Sequence, residues 1–370
     1  MADRPAADDA RYRDRLDRLR LIRSANIGPV TYRQLMARFG SAAAALEAIP
    51  ALAARGGGRA PRLAAPDDIA RELAAVERLG GRYLFLGNPA YPPLLAELES
   101  APPVLILRGD TGLFARPAVA VVGARNASAA ACRFARGLAQ DLAAGGVAVV
   151  SGLARGIDTA AHVGALDGGT IAVVASGIDV VFPPENAALQ EAVATRGLLV
   201  AEQPPGTEPR ARHFPYRNRI IAGLSLGTVV VEAAPRSGSL ITARLAAEAG
   251  RDVMAVPGSP VDPRAQGCNG LIRDGATLVQ SAADIIETIR PIDARAVRAP
   301  AHEFAAQPLH ADASDADRAR ITALLGPTAV PVDELIRQSG IVPAIVHTVL
   351  LELELAGRLE RHAVARVSLA

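Results

Sequence analysis

The sequence contains no lysine: all 40 of its basic residues are arginine. That absence excludes a Walker A phosphate loop, a Schiff-base lysine and a lysine general base. Tryptophan is missing too, and aromatics make up only 3% of the chain, so the core must be aliphatic and a nucleic-acid site has few rings for stacking. There are two cysteines, Cys132 and Cys268, and no C-x-x-C pair, so neither a disulfide framework nor a thiolate metal cluster is expected. No apolar run approaches the length of a membrane span and no signal peptide precedes the first helical pattern. A reduced, cytoplasmic protein with no metal and no membrane insertion is the expectation. Net charge is a near-neutral +2, so any surface for a polyanion has to be local.

What is present is a long alternation of short apolar runs and helical patterns. Residues 119–122, 147–150, 171–175, 198–201 and 228–232 are each too short for a helix and apolar on both faces. Strands of that kind, separated by helices, predict a parallel sheet covered on both sides, with ligands outside its carboxyl ends. Residues 83–86 and 104–107 predict a lead-in strand and an edge strand that extend this sheet. At 370 residues the chain has room for two or three domains.

The first strand runs into Gly123-Ala-Arg125-Asn-Ala-Ser128 before a helical pattern. A dinucleotide fingerprint needs glycine where Arg125 and Ser128 stand, and its second strand should end in a carboxylate to hold a ribose; here it ends Ser151-Gly152. A nicotinamide cofactor is therefore excluded in favour of a cation, a hydroxyl and free N–H groups that can hold a phosphate. Asp158 and His162 have helical i, i+4 spacing and predict an interior hydrogen-bonded pair rather than a metal site. Residues 210–219 carry four arginines, a histidine, Phe214 and Tyr216 at the start of another helix. Cations in a first helical turn oppose the helix dipole, so a phosphate chain is the expected counterpart, with the rings stacking bases. Arg236, Ser237, Gly238, Ser239 and Thr242 mark a second anion cradle at a further helix start.

The two ends read differently. Helix, Ile-Gly-Pro turn and helix within residues 16–39 predict a small helical domain of the helix-hairpin-helix or sterile-alpha-motif kind, preceded by a loose end over residues 1–11. Residues 315–370 give three helical patterns and a short hairpin, a winged-helix-like outline. Its would-be recognition helix carries Glu352 and Glu354 and no arginine, which suits self-packing better than a DNA groove. The expected layout is a helical domain over 1–79, the sheet domain over 80–290, a linker over 291–314 and the winged-helix-like domain over 315–370.

Taken together, Val122-Gly-Ala-Arg125, the run from Ser151 to Asp158 with His162, Phe182-Pro-Pro-Glu-Asn186, the run from His213 to Gly223, Arg236-Ser-Gly-Ser-Leu-Ile-Thr242 and Val256-Pro-Gly258 resemble the DprA (Smf) family of bacterial DNA-processing proteins. The resemblance implies an extended Rossmann-like fold that binds single-stranded DNA, protects it, dimerises and loads the recombinase RecA onto it during natural transformation. It implies neither catalysis nor a cofactor. The DNA-binding positions it indicates are Arg125, Ser128, Phe214, Arg217, Asn218, Arg219, Ser237, Gly238 and Ser239, and Gly123, Ser151, Gly152 and Thr242 of the same turns complete the candidate set. The homodimer contact it indicates falls on Asn269, Leu271, Ile272 and Leu278. One departure stands out: a basic residue that relatives often carry after the aromatic-proline turn is missing from Pro184-Glu-Asn-Ala187. The competing reading is a nucleotide-cleaving, Rossmann-like phosphoribohydrolase. It would need a catalytic glutamate after the turn at Arg236, where the sequence has none.

Overall fold

A nine-stranded sheet forms the centre of the chain. The structure, a computed structural model, describes residues 4–296, 312–362 and 365–370. The strands are β1 (Arg82–Phe85), β2 (Val104–Gly109), β3 (Ala118–Val122), β4 (Ala148–Ser151), β5 (Thr170–Gly177), β6 (Leu198–Gln203), β7 (Gly227–Val230), β8 (Asp252–Ala255) and β9 (Thr277–Leu278). Their spatial order is β1-β2-β6-β5-β4-β3-β7-β8-β9. From β6 across to β9 all neighbours are parallel, while β2 joins β6 and β1 joins β2 antiparallel. The expected extended Rossmann-like sheet is thus the one observed, with its lead-in strands on one flank.

Why these runs form central strands follows from alternation. Val119 and Val121 enter one apolar cluster with Leu138, Leu142 and Ile157; Ala120 and Val122 enter another, on the opposite face, with Val173, Ile220 and Ile221. Both faces are dry, so both sets of side chains must be apolar. The order runs outward from β3 through β4 and β5 to β6, then returns to place β7 on the other side of β3. The strand order therefore reverses between β3 and β7, the place where doubly wound folds open a ligand crevice.

By contacts the chain divides into two compact units, one running from Glu72 to His302 and the other combining residues up to Arg71 with those from Glu303 onward. In the second unit the helices Arg4–Arg23, Pro29–Phe39 and Ala42–Arg55 accompany the helices Asp315–Ala323, Val332–Ser339 and Pro343–Leu355 and a small sheet of β10 (Val330–Pro331), β11 (Leu359–His362) and β12 (Arg366–Leu369). The loose end expected before residue 11 is helical from Arg4. Leu351 and Leu355 join Leu21, Leu35, Ile49 and Leu52 in one core, so the helical start of the chain and the winged-helix-like tail share their interior. Gly56 makes that approach possible, because a Cβ there would overlap the carbonyl of Glu352. Glu352 is fully buried and ion-paired with Arg318 at 2.8 Å, and Glu354 pairs with Arg361 at 2.7 Å. The acidic helix is committed to the interior of its own unit. Residues 297–311 of the expected linker lie outside the described residues. Among those described, no single helix is long and apolar enough to cross a membrane.

Candidate functional site

At the carboxyl ends of β3, β4 and β5 lies a cavity of about 320 Å³ whose walls include Arg125, Asn126, Gly152, Ser176, Phe182, Phe214 and Arg217. Each turn contributes for a local reason. Gly123 lets the first turn descend close to the helix Ile157–Ala165, since a Cβ there would lie 2.6 Å from Ile157 Cγ1. Beyond it Arg125 is exposed, its guanidinium carbon 4.8 Å from the Phe214 ring centroid. That cation–π contact contributes on the order of 0.5–1 kcal/mol. Phe214 also meets Phe182, the rings 5.8 Å apart and tilted by 55°.

Arg217 approaches from the helix His213–Gly223. It is only 6% exposed, and its Nε has no hydrogen-bond partner. Burial pulls its pKa down to about 10, against the opposing pull of Asp158, and the Arg125 cation lowers it further. Among the described residues neither Arg125 nor Arg217 has a carboxylate within ion-pair distance. Asp158, also buried, has its pKa raised by desolvation, with Arg217 and the Gly152 and Ala154 amides opposing. His162 is fully buried and its pKa falls to about 3, chiefly through desolvation, so it stays neutral. The Asp158 carboxylate accepts hydrogen bonds from Gly152 N–H at 3.2 Å and Ala154 N–H at 3.4 Å, whereas His162 Nδ1 meets Thr170 Oγ1 at 2.7 Å. The two share the interior, as expected, but each has its own partner.

Gly152 has a distinct use. A Cβ placed on it would overlap the guanidinium of Arg217, which lies across the bare backbone. The Gly152→Ala variant is expected to bind single-stranded DNA roughly tenfold more weakly with little change in melting temperature, because the displaced group is the free end of a flexible side chain. Combined with Arg217→Ala it should add nothing further, and a double-mutant cycle by fluorescence anisotropy checks this.

Other candidate positions are engaged elsewhere. Ser128 caps the helix Ala129–Ala144 by accepting Ala131 N–H at 3.1 Å, while its own N–H and hydroxyl donate to Glu232 at 2.9 and 2.7 Å. Ser128→Ala should therefore cost about 1 kcal/mol of stability in a chemical-denaturation series and leave oligonucleotide affinity within about twofold. Ser151 is buried and donates to the Val121 carbonyl at 2.7 Å, a tie between β4 and β3 rather than a surface contact. Arg219 is bound by Glu202 through both carboxylate oxygens at 2.6 and 2.8 Å, both side chains largely buried. Its neighbour Asn218 is half-buried. Ser237 and Ser239 hydrogen-bond each other at 2.8 Å at the start of the helix Gly238–Glu248, Gly238 is exposed, and Thr242 is 2% exposed; none lines the cavity.

Of the expected self-contact residues, Leu278 on the last strand of the sheet is 47% exposed. Leu271 and Ile272 are half-buried against the core, and the Asn269 amide is tied to both backbone groups of Gly258 at 2.9 and 3.1 Å. Sequence reasoning misses Phe182 on the cavity wall and, outside the cavity, Glu232 as the partner of Ser128. The aromatic-proline turn is the signal that points to Phe182. For Glu232 the signal is an acidic end to an apolar strand. The segment after that turn, short of a basic residue, supplies Glu185 instead, which pairs with Arg155 on the cavity wall.

Comparison with known proteins agrees along the chain. A family model described as DNA recombination-mediator protein A matches residues 82–290, a DprA-like N-terminal HHH domain matches 12–75 and a DprA winged helix domain matches 305–363. The DNA processing protein DprA of Streptococcus pneumoniae is 47% identical over 201 residues, 54% of this chain and 71% of that protein. Protein Smf of Escherichia coli is 41% identical over 273 residues, covering 72% of each. The X-ray structure of the S. pneumoniae protein superposes with a TM-score of 0.57 at 42% identity, covering 60% of this chain and 78% of that one. A structure of Helicobacter pylori DprA, described in terms of its single-stranded DNA binding mode, gives 0.52 at 30% identity over 56% of this chain and 95% of that one.

Proposed function

Because this chain belongs to the DprA/Smf family of DNA recombination-mediator proteins, we propose that it binds single-stranded DNA in the arginine-lined cavity, protects the strand and hands it to RecA in natural transformation. One observation carries the reading. Arg125, from the turn after β3, and Arg217, from the helix His213–Gly223, line one cavity together with Phe214 and Phe182, and neither has a carboxylate within ion-pair distance among the described residues. Two cations with no ion-paired carboxylate suit an anion from outside, and aromatic rings in the same cavity suit a polymer that alternates phosphates and bases. Phe214 and Phe182 supply the stacking faces. Arg219, Ser128 and Ser151 serve as the frame behind them.

No proton transfer or covalent step belongs to this reading. Sequence recognition is not part of it either, because the contacts available are charge and stacking. The exposed Leu278 on the outermost strand supports pairing of two copies along that edge, for which a solution mass measurement is the direct check. The central test is a salt titration of oligothymidylate binding by the full chain. Two phosphate contacts predict a log-log slope of about −1.4, from roughly −0.7 per contact on single strands. A slope near zero would remove the cavity from consideration.

A further inference from the structure

The crevice between β3 and β7, where the strand order reverses, is filled by the chain itself. Glu232, which follows β7, presents Oε1 to Ser128 N–H at 2.9 Å and Oε2 to the Ser128 hydroxyl at 2.7 Å, and its backbone carbonyl accepts Ala124 N–H at 2.7 Å. It is 9% exposed. In a doubly wound fold these N–H groups, at the start of the first helix after the glycine turn, are the ones that hold a nucleotide's phosphates. One strand over, Asp158 occupies the amides of Gly152 and Ala154 in the same manner. Each glycine turn thus has backbone N–H groups taken by an internal carboxylate, Ser128 in the first and Gly152 and Ala154 in the second, whereas neither Arg125 nor Arg217 has a carboxylate within ion-pair distance among the described residues.

We propose that Glu232 is a specificity-determining residue: it stands in for a phosphate at the head of the helix Ala129–Ala144 and so denies that position to free nucleotides. The proposal rests on the reading of the arginine cavity as a polymer site and adds what that site rejects. A mononucleotide or dinucleotide approaching the crevice meets a buried carboxylate in place of free N–H donors, and like charge repels it. A polynucleotide has no need of the crevice, since its phosphates reach the arginines from the open rim and several contacts act together. The chain can therefore hold strands among a large excess of soluble nucleotides with the fold that elsewhere binds those nucleotides.

The test is isothermal titration of the full chain with inorganic pyrophosphate and with ADP, for the natural protein, Glu232→Ala and Glu232→Gln. Alanine frees the Ser128 N–H and hydroxyl; glutamine keeps the size and drops the charge, and serves should the alanine variant not fold. The natural protein should not saturate with either anion at about 1 mM, whereas Glu232→Ala should bind pyrophosphate at least about tenfold more tightly, with Glu232→Gln between them. Oligothymidylate affinity should stay within about threefold in all three. Folded variants that titrate like the natural protein would overturn the proposal, and so would a loss of oligonucleotide affinity beyond about tenfold, which would put Glu232 in the polymer site. If the natural protein failed to bind oligothymidylate, the cavity reading would fall, while the pyrophosphate titrations would still report on Glu232.

Discussion

Arg217→Ala is expected to weaken binding of single-stranded DNA by about 100-fold and to flatten the salt dependence by about 0.7. The size follows from where the guanidinium sits. It lies in a nearly dry wall, with an unpartnered Nε and a pKa already pulled down to about 10 by burial. A phosphate arriving there makes charge-assisted hydrogen bonds in a poorly solvated place, worth on the order of 1.5–3 kcal/mol. Arg217→Lys should recover only part of the loss, because a single ammonium cannot spread across Gly152 as the planar fork does. Arg125→Ala, whose guanidinium is exposed and rests on a ring, should lose less and flatten the slope by a similar amount. Anisotropy titrations at several salt concentrations measure both quantities, and an unchanged slope in Arg217→Ala would contradict the assignment.

The arginine two residues later should behave in the opposite way. Arg219→Ala is predicted to destabilise the fold by about 3 kcal/mol, the cost of leaving one charge of a largely buried pair alone, while the salt slope of DNA binding stays as it was. Its partner Glu202 lies near the end of β6, and the two hydrogen bonds from Arg219 Nη2 tie the helix His213–Gly223 to the end of that strand. Loss of the tie should appear in the denaturation midpoint. Glu202→Gln is the companion variant: it leaves the cation alone instead of the anion and should show a loss of comparable sign. A variant of Arg219 that kept full stability yet lost DNA affinity would reverse the roles of the two arginines.

That contrast shows what can and cannot be read from residue order. The sheet is legible because its strands are dry on both faces, so β3 to β7 stand out as uninterrupted apolar runs. Arg125 and Phe214 are legible because charge and an aromatic ring at a turn have few structural uses. Arg217 and Arg219 cannot be told apart in advance. Both sit in one basic segment, and what separates them is the helix face each occupies together with a glutamate 17 residues earlier in the chain. Ser128 reads as an open phosphate ligand because its true partner, Glu232, is 104 residues away and reaches it only through strand order. Gly152 marks a turn in the sequence, but its service to a distant guanidinium depends on the folded approach of a helix. The winged-helix outline of the tail is visible in its periodicity. The same apolar pattern also hides a second allegiance, since Leu351 and Leu355 belong to a core assembled from the other end of the chain.

That shared core has a consequence for how the protein comes into being. Leu21, Leu35, Ile49 and Leu52 leave the ribosome early, but the leucines that complete their packing are made some 300 residues later, which at about 5–20 residues per second is a wait of tens of seconds. The central sheet can finish in that interval. The first helices translated therefore carry an uncovered oily face through most of synthesis, and premature termination between the last sheet strand at Leu278 and Leu351 releases a chain with a finished middle and an unfinished beginning.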